Sequence, residues 1–191
     1  MPTHTQTRRL IHLLLVLTIG LFAVACDELV PNPEGETIDG PLTLGAAASP
    51  LNITATYANA PEQDLASLGV PGHVNVIEFW ATWCGPCIKA MPHLNDLIAE
   101  FDGRPISFIG ATYEDPQTVQ NFLKKTRFDA IVVQVPDKTF EKYGATSIPL
   151  TVIIDADGKV AKVTRPFDLT ADHLIPLIEK AEAKAPETAL R

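Results

Sequence analysis

The chain has 191 residues, enough for one domain with a stretch left over for a leader. Hydrophobic residues make up 46% and charged residues 20%, as in ordinary globular proteins, and a formal net charge of −8 without any basic tract argues against nucleic acid as a partner. Three cysteines are too few for a disulfide scaffold, so each needs its own explanation.

Near the start, Arg8 and Arg9 precede an apolar run from Leu10 to Ala25 that only His12, Thr18 and Gly20 interrupt. The run falls short of the roughly 20 residues a spanning helix needs. A charged start, a short apolar middle and small residues before a break predict a secretory signal peptide over residues 1–25. Thr7-Arg8-Arg9 hints at a twin-arginine signal, but Leu10-Ile11-His12 fits it poorly, so the general secretory route is favoured. Ala23-Val24-Ala25-Cys26 resembles a bacterial lipobox, with Ala23 where Leu is usual. That resemblance implies a lipid on Cys26 as the first mature residue. A free, unpaired thiol outside the cell would be a liability, which also favours acylation. Two or more acyl chains, at about 0.8 kcal/mol per buried CH2, hold a protein on a bilayer. Asp27 resembles the inner-membrane retention signal of Gram-negative lipoproteins. The expected location is therefore extracytoplasmic, lipid-anchored to a bacterial membrane, on the periplasmic face of the inner membrane if the source is Gram-negative.

Residues 26–50, with Pro31, Pro33, Gly35, Gly40, Pro41 and Gly45, have the composition of a flexible linker. A single folded domain is expected over 51–185, followed by a tail at 186–191. Within the domain, Leu51 to Tyr57 alternates weakly and predicts an edge strand, and Glu62 to Leu68 a short helix ended by Gly69 and Pro71. Val74-Asn75-Val76-Ile77-Glu78-Phe79 is the strongest strand signal, β-branched and apolar enough to be covered on both faces. Trp80-Ala81-Thr82-Trp83-Cys84-Gly85-Pro86-Cys87 follows it directly. From Cys87 the pattern turns helical, with Ile88, Met91, Leu94, Leu97, Ile98 and Phe101 at spacings of three and four, and with Pro92 inside.

Further on, Ile106 to Gly110 predicts a strand, Pro116 to Leu123 a helix with Lys124, Lys125 and Arg127 at its C-terminal turn, and Ala130 to Val135 a strand. Lys138 to Tyr143 predicts a short helix ended by Gly144. Leu150 to Ile154 and Val160 to Val163 read as a hairpin turned at Asp157-Gly158, where Asp155 and Asp157 are turn residues rather than a calcium loop. Ala171 to Ala185 is the closing helix, with Leu174, Leu177 and Ile178 inward. Alternating strands and helices give the α/β class with a mixed sheet.

The chemistry concentrates at Cys84 and Cys87. A helix that starts between them leaves unpaired N–H groups and roughly half a positive charge facing the first sulfur. Cys84 is expected to be exposed, with a lowered pKa, and to act as the nucleophile; Cys87, one turn in, is expected to be buried and to resolve mixed disulfides. Bare Cys-x-x-Cys spacing also serves zinc sites, which need four ligands, whereas only Cys26 remains. Glu78 is a lone acid in an apolar strand. Alternation puts it on the face opposite Ile77 and Phe79, toward the active-site helix. A carboxyl buried there has a raised pKa and can pass protons.

Trp83-Cys84-Gly85-Pro86-Cys87 after a hydrophobic strand resembles the thioredoxin superfamily. The secretion signal, Phe79-Trp80-Ala81-Thr82-Trp83-Cys84 and the extra helix and strand over Pro116 to Val135 narrow the resemblance to the TlpA/ResA-like group of membrane-tethered thiol–disulfide oxidoreductases, over roughly His73 to Ala185. The resemblance implies a thioredoxin-like fold with a helix–strand insert between the core halves. It implies that Pro149 is cis, faces the cysteines and, lacking an N–H, helps keep metals off them. The backbone of Ile148 would then pair with an extended substrate. Trp83, Gly85 and Pro86 would complete the substrate rim, with Gly85 and Pro86 tuning the redox poise toward a thioredoxin-like reductant. Thioredoxin has an acid at the position of Glu78 that deprotonates the second cysteine through water. TlpA/ResA-like proteins often place Asn there and Glu three residues past the second cysteine, where this chain has Ala90, so the proton-handling residue is thioredoxin-like. The group's usual N-terminal hairpin is not evident, and the departure at Ala90 bears on cytochrome c maturation as a task.

The implied enzyme is a disulfide reductase acting as a monomer, with the Cys84–Cys87 disulfide as its redox centre and no other cofactor or metal. Its partners would be a disulfide-bearing protein substrate and a membrane electron donor. The competing class is a copper- or haem-handling lipoprotein that uses the two cysteines as soft ligands. Against it, Met91 is the only nearby thioether and falls on a core face. Trp80 is expected in the core, and His73, His93 and His173 at the surface or as caps.

Overall fold

The computed structural model describes residues 41–59 and 72–184. The signal peptide, Cys26, the first part of the linker, the short helix expected over Glu62 to Leu68 and the tail lie outside the described residues.

Six strands form one mixed sheet in the order β1–β4–β3–β2–β5–β6. They are β1 (Ala55–Ala58), β2 (Val74–Phe79), β3 (Ile106–Thr112), β4 (Ile131–Gln134), β5 (Leu150–Ile154) and β6 (Val160–Thr164). The helices are α1 (Gly85–Glu100), α2 (Pro116–Leu123), α3 (Asp137–Lys142) and α4 (Ala171–Lys184), and a 3-10 turn covers Pro166–Asp168. β2 runs parallel to β3 and antiparallel to β5, and is buried at all six positions. A strand so placed has no solvent face, which is why its sequence reads as a near-continuous apolar run. β4 with α2 is the expected insert, and β1 closes the edge by pairing antiparallel with β4.

The alternation of β2 divides the core into two layers. Val74, Val76 and Trp80 pack with Met91, Leu94 and Leu97 of α1, Val119 of α2, and Leu174 and Ile178 of α4. Ile77 and Phe79 pack on the other face with Phe140 of α3, Tyr143 and Leu150. The Phe79 ring stands edge-on to Phe140 with centroids 5.0 Å apart, a favoured aromatic geometry.

The structure differs from the sequence reading at the start of the domain. Residues 42–50, expected as the end of the linker, belong to the folded unit. Leu42 and Leu51 are buried in the second layer, and Ala47 bridges Lys159. Gly45 N–H donates to the Val160 carbonyl at 2.8 Å and Ala48 N–H to Gly158 at 2.9 Å. Small residues and glycine, which look like linker composition, here let a backbone lie flat along the β5–β6 hairpin; Gly45 has φ of 78°. β3 also runs two residues past Gly110. α2 ends at Leu123, so Lys124 caps the helix and the other basic residues follow it.

Candidate active site

Cys84 and Cys87 form a disulfide at the N-terminus of α1, where β2 ends in the middle of the sheet. Cys84 is the N-cap residue, with extended backbone, and its sulfur accepts a hydrogen bond from the Cys87 N–H at 3.2 Å. The helix end therefore points at this sulfur, as the spacing predicts. Negative charge on Cys84 Sγ is favoured there, because the first N–H groups of a helix have no partner within it. Pro86 sits in the first turn, where its missing N–H loses nothing.

Exposure is a correction. Cys84 is only 3% exposed and Cys87 1%, so the first cysteine is not the open one expected. In the disulfide its sulfur is drawn back against the helix end. The exposed neighbours are Trp83, at 65%, and Gly85 and Pro86. A Cβ on Gly85 would meet nothing within 4 Å, so this position is not sterically reserved for glycine.

The Ile148–Pro149 peptide bond is cis. Pro149 is buried at the entry to β5, and half-buried Ile148 packs against the layer that holds both cysteines. Residues 44–174 match the family model described as Redoxin. The chain belongs to the Redoxin family, within the thioredoxin superfamily.

Its relatives carry thiol–disulfide names. It is 30% identical over 89 residues to thiol-disulfide oxidoreductase ResA of Geobacillus thermodenitrificans, covering 46% of this chain and 51% of that protein. The chain thus spans about half the length of the curated relatives it matches. The crystal structure of a thioredoxin-related protein from Neisseria meningitidis serogroup B superposes with a TM-score of 0.50 at 25% identity, covering 68% of this chain and 98% of that one. A thiol-disulfide isomerase from Corynebacterium glutamicum gives a TM-score of 0.56 at 18% identity, covering 73% and 97%, a likeness of fold alone.

In this redoxin Glu78 lies inside the protein, 3% exposed, on the α1 side of the sheet with Val76 and Trp80. Burial pushes its carboxyl up from 4.5 to about 8, against opposing pulls from the Thr151 hydroxyl and the Arg165 charge. Thr151, its direct partner across β5, donates to Glu78 Oε2 at 2.6 Å. Oε1 has no hydrogen-bond partner among the described residues. A neutral carboxyl here can donate a proton toward α1, where Ala90 supplies no competing acid.

The other expectations resolve simply. Trp80 is fully buried and stacks at a tilt on Phe122, centroids 5.4 Å apart. His93 Nε2 lies 2.7 Å from the Leu169 carbonyl and ties α1 to the 3-10 turn. His173 Nδ1 accepts from Thr170 N–H at the start of α4, and His73 is exposed. Asp155 accepts from the N–H groups of Asp157 and Lys159, as a turn residue does.

Three contributors escape sequence reasoning. Glu114, just past β3, grips the loop before Cys84: Oε2 accepts the Thr82 N–H at 2.6 Å and Oε1 the Thr82 hydroxyl at 2.7 Å. Thr151 and Arg165 are the others. No local pattern marks them, because each acts on a group far away in the chain; an acid at the end of a strand that neighbours the active-site strand is the one available signal for Glu114.

Proposed function

We propose that this protein is an extracytoplasmic thiol–disulfide oxidoreductase that reduces disulfides in protein substrates, tethered to a bacterial membrane through lipid on Cys26. The observation that supports it most is the Cys84–Cys87 disulfide capping α1, packed in one layer with Ile148 beside its cis proline and backed by buried Glu78.

In the reduced form the Cys84 thiolate attacks one sulfur of a substrate disulfide. A bond forms between Cys84 Sγ and that sulfur, the other substrate sulfur leaves as a thiol, and a mixed disulfide results. Cys87, deprotonated with Glu78 accepting the proton, then attacks Cys84 Sγ. The Cys84–Cys87 bond forms, the second substrate thiol leaves, and two electrons have passed to the substrate. Regeneration runs the same steps backwards from a membrane dithiol donor. The donor's thiolate attacks Cys84, and Cys87 departs and takes its proton from Glu78, which is neutral at pH 7 because burial holds its pKa near 8. Trp83, Gly85, Pro86 and the Ile148 backbone form the rim that a substrate segment crosses.

The test is to mix the pre-reduced protein with a disulfide-bearing protein and count thiols on both, with and without Cu(I). Stoichiometric appearance of substrate thiols and of the Cys84–Cys87 disulfide, in the absence of metal, is the expected result. No exchange, with tight Cu(I) binding to the dithiol, would favour the ligand-holding alternative; among the described residues no group of three or more metal-binding side chains gathers.

A further inference from the structure

Arg165 stands between β6 and the 3-10 turn, and its side chain reaches back to the proline loop. One nitrogen, Nη1, donates to the Ser147 carbonyl at 2.9 Å and also to the Pro149 carbonyl. These carbonyls flank Ile148 and its cis bond on both sides. A planar guanidinium with several fixed donors suits this task better than an ammonium. The cross-strand register leads from the same place to the buried acid: Thr164, next to Arg165, faces Thr151, and Thr151 faces Glu78.

Among the described residues, Arg165 is the charged side chain that acts on Glu78. Lys162 of β6, opposite Ile153, shares that face of the sheet one pair farther along, and the other elements of the layer present uncharged groups. β5 offers the Thr151 hydroxyl, β3 presents Gly110 opposite Glu78, α1 contributes Cys87, Ala90 and Met91, and α4 contributes Leu174 and Ile178.

We propose that Arg165 is a positioning residue of the exchange reaction, one that fixes the Ile148–Pro149 turn through both flanking carbonyls and sets a positive charge at the end of the Thr164–Thr151–Glu78 row. The two roles link substrate seating to proton transfer. The same cation that shapes the edge met by an extended substrate also favours the carboxylate that must form when Glu78 gives its proton to Cys87. The second role rests on the proton-handling assignment of Glu78 made above; the first does not.

The test uses the full chain as wild type, Arg165→Gln, Arg165→Lys, Glu78→Gln and the Glu78→Gln/Arg165→Gln double variant. The Glu78 carboxyl is titrated in the oxidised protein by carbon-13 NMR, its resonance identified by its loss in Glu78→Gln. Rates of disulfide opening by a small dithiol are followed against pH, and KM is measured for a disulfide-bearing protein substrate. Arg165→Gln is expected to raise the Glu78 midpoint by about half a unit to one unit, the modest shift of a cation at a partly wet site. The pH profile should move with it, and KM for the protein substrate should rise about 3- to 10-fold, as when one or two hydrogen bonds are lost. Arg165→Lys should restore the midpoint but not KM. In the double variant the profile should not move relative to Glu78→Gln.

An unchanged Glu78 midpoint in Arg165→Gln overturns the electrostatic role, and an unchanged KM overturns the clamp. A profile shift that survives in the double variant also overturns the proposal, since the charge would then act elsewhere. If Glu78→Gln alone leaves the profile intact, the proton-handling assignment falls, while the NMR midpoint and KM still judge Arg165 separately.

Discussion

Glu78→Gln separates a structural acid from a working one. The substitution keeps the size and the acceptor for Thr151, and removes the titrating group. In the folded protein the carboxyl is raised from 4.5 to about 8 by burial. A raised acid binds its proton more tightly folded than unfolded, so its stabilising proton is fully in place below the unfolded value and is lost as pH rises through the folded one. Each pH unit across that window is worth about 1.4 kcal/mol. The wild type should therefore lose stability relative to Glu78→Gln between the unfolded pKa and about pH 8. The gap should reach at most about 3 kcal/mol at pH 7 and about 5 kcal/mol on the alkaline side. Denaturant unfolding of the oxidised proteins at pH 5, 7 and 9 measures it. Opening of the Cys84–Cys87 disulfide by a small dithiol should slow by about 10²- to 10⁴-fold at most, since that is the range of general acid help. The loss should be largest at neutral pH and below, where Glu78 carries its proton, and shrink as pH rises above the folded value. A stability difference that stays flat with pH would show that the carboxyl does not carry the raised proton affinity. Superimposable rate profiles would make Glu78 structural and leave the proton to water or another residue.

Three further outcomes follow from other parts of the molecule. Glu114→Ala removes both bonds to Thr82 and should cost about 1–3 kcal/mol while slowing exchange without moving its pH midpoint, read by thermal unfolding and by the same rate profile. Gly110→Ala should destabilise by about 1–3 kcal/mol, because a Cβ there would sit 2.6 Å from Phe128 Cε1 and 3.1 Å from Trp80 Nε1; wild-type stability would mean that the Phe128 ring gives way freely. Mass spectrometry of the protein from bacterial membranes should find the mature chain beginning at a lipid-modified Cys26, and an unmodified start or a cut elsewhere would remove the anchor.

The fold was largely legible because its signals are local. β2 announced itself by a β-branched run, α1 by its three-and-four spacing and the β5–β6 hairpin by Asp157-Gly158. The cis state of the Ile148–Pro149 bond came from family resemblance, since nothing in periodicity distinguishes it. Glu78 was legible as an oddity, an acid where alternation demands an apolar residue. The misreadings share a physical cause. Residues 42–50 have linker composition, yet the β5–β6 hairpin offers their backbone hydrogen-bond partners that no local pattern reveals. Cys84 was expected to be open because helix starts usually are, but its sulfur turns inward to Cys87. Thr151, Glu114 and Arg165 act through contacts at separations of 73, 32 and 16 to 18 residues, beyond the reach of any periodic argument.

The division of labour between the two cysteines is tested most directly by trapping. Reduced Cys87→Ser, mixed with a disulfide-bearing protein, should hold that protein in a mixed disulfide on Cys84, seen as a dithiol-sensitive adduct and located by peptide mass spectrometry. Cys84→Ser should form none, because Cys84 alone caps the helix end, where a thiolate is favoured. An adduct on Cys87 in Cys84→Ser, with none in Cys87→Ser, would reverse the roles and contradict the mechanism.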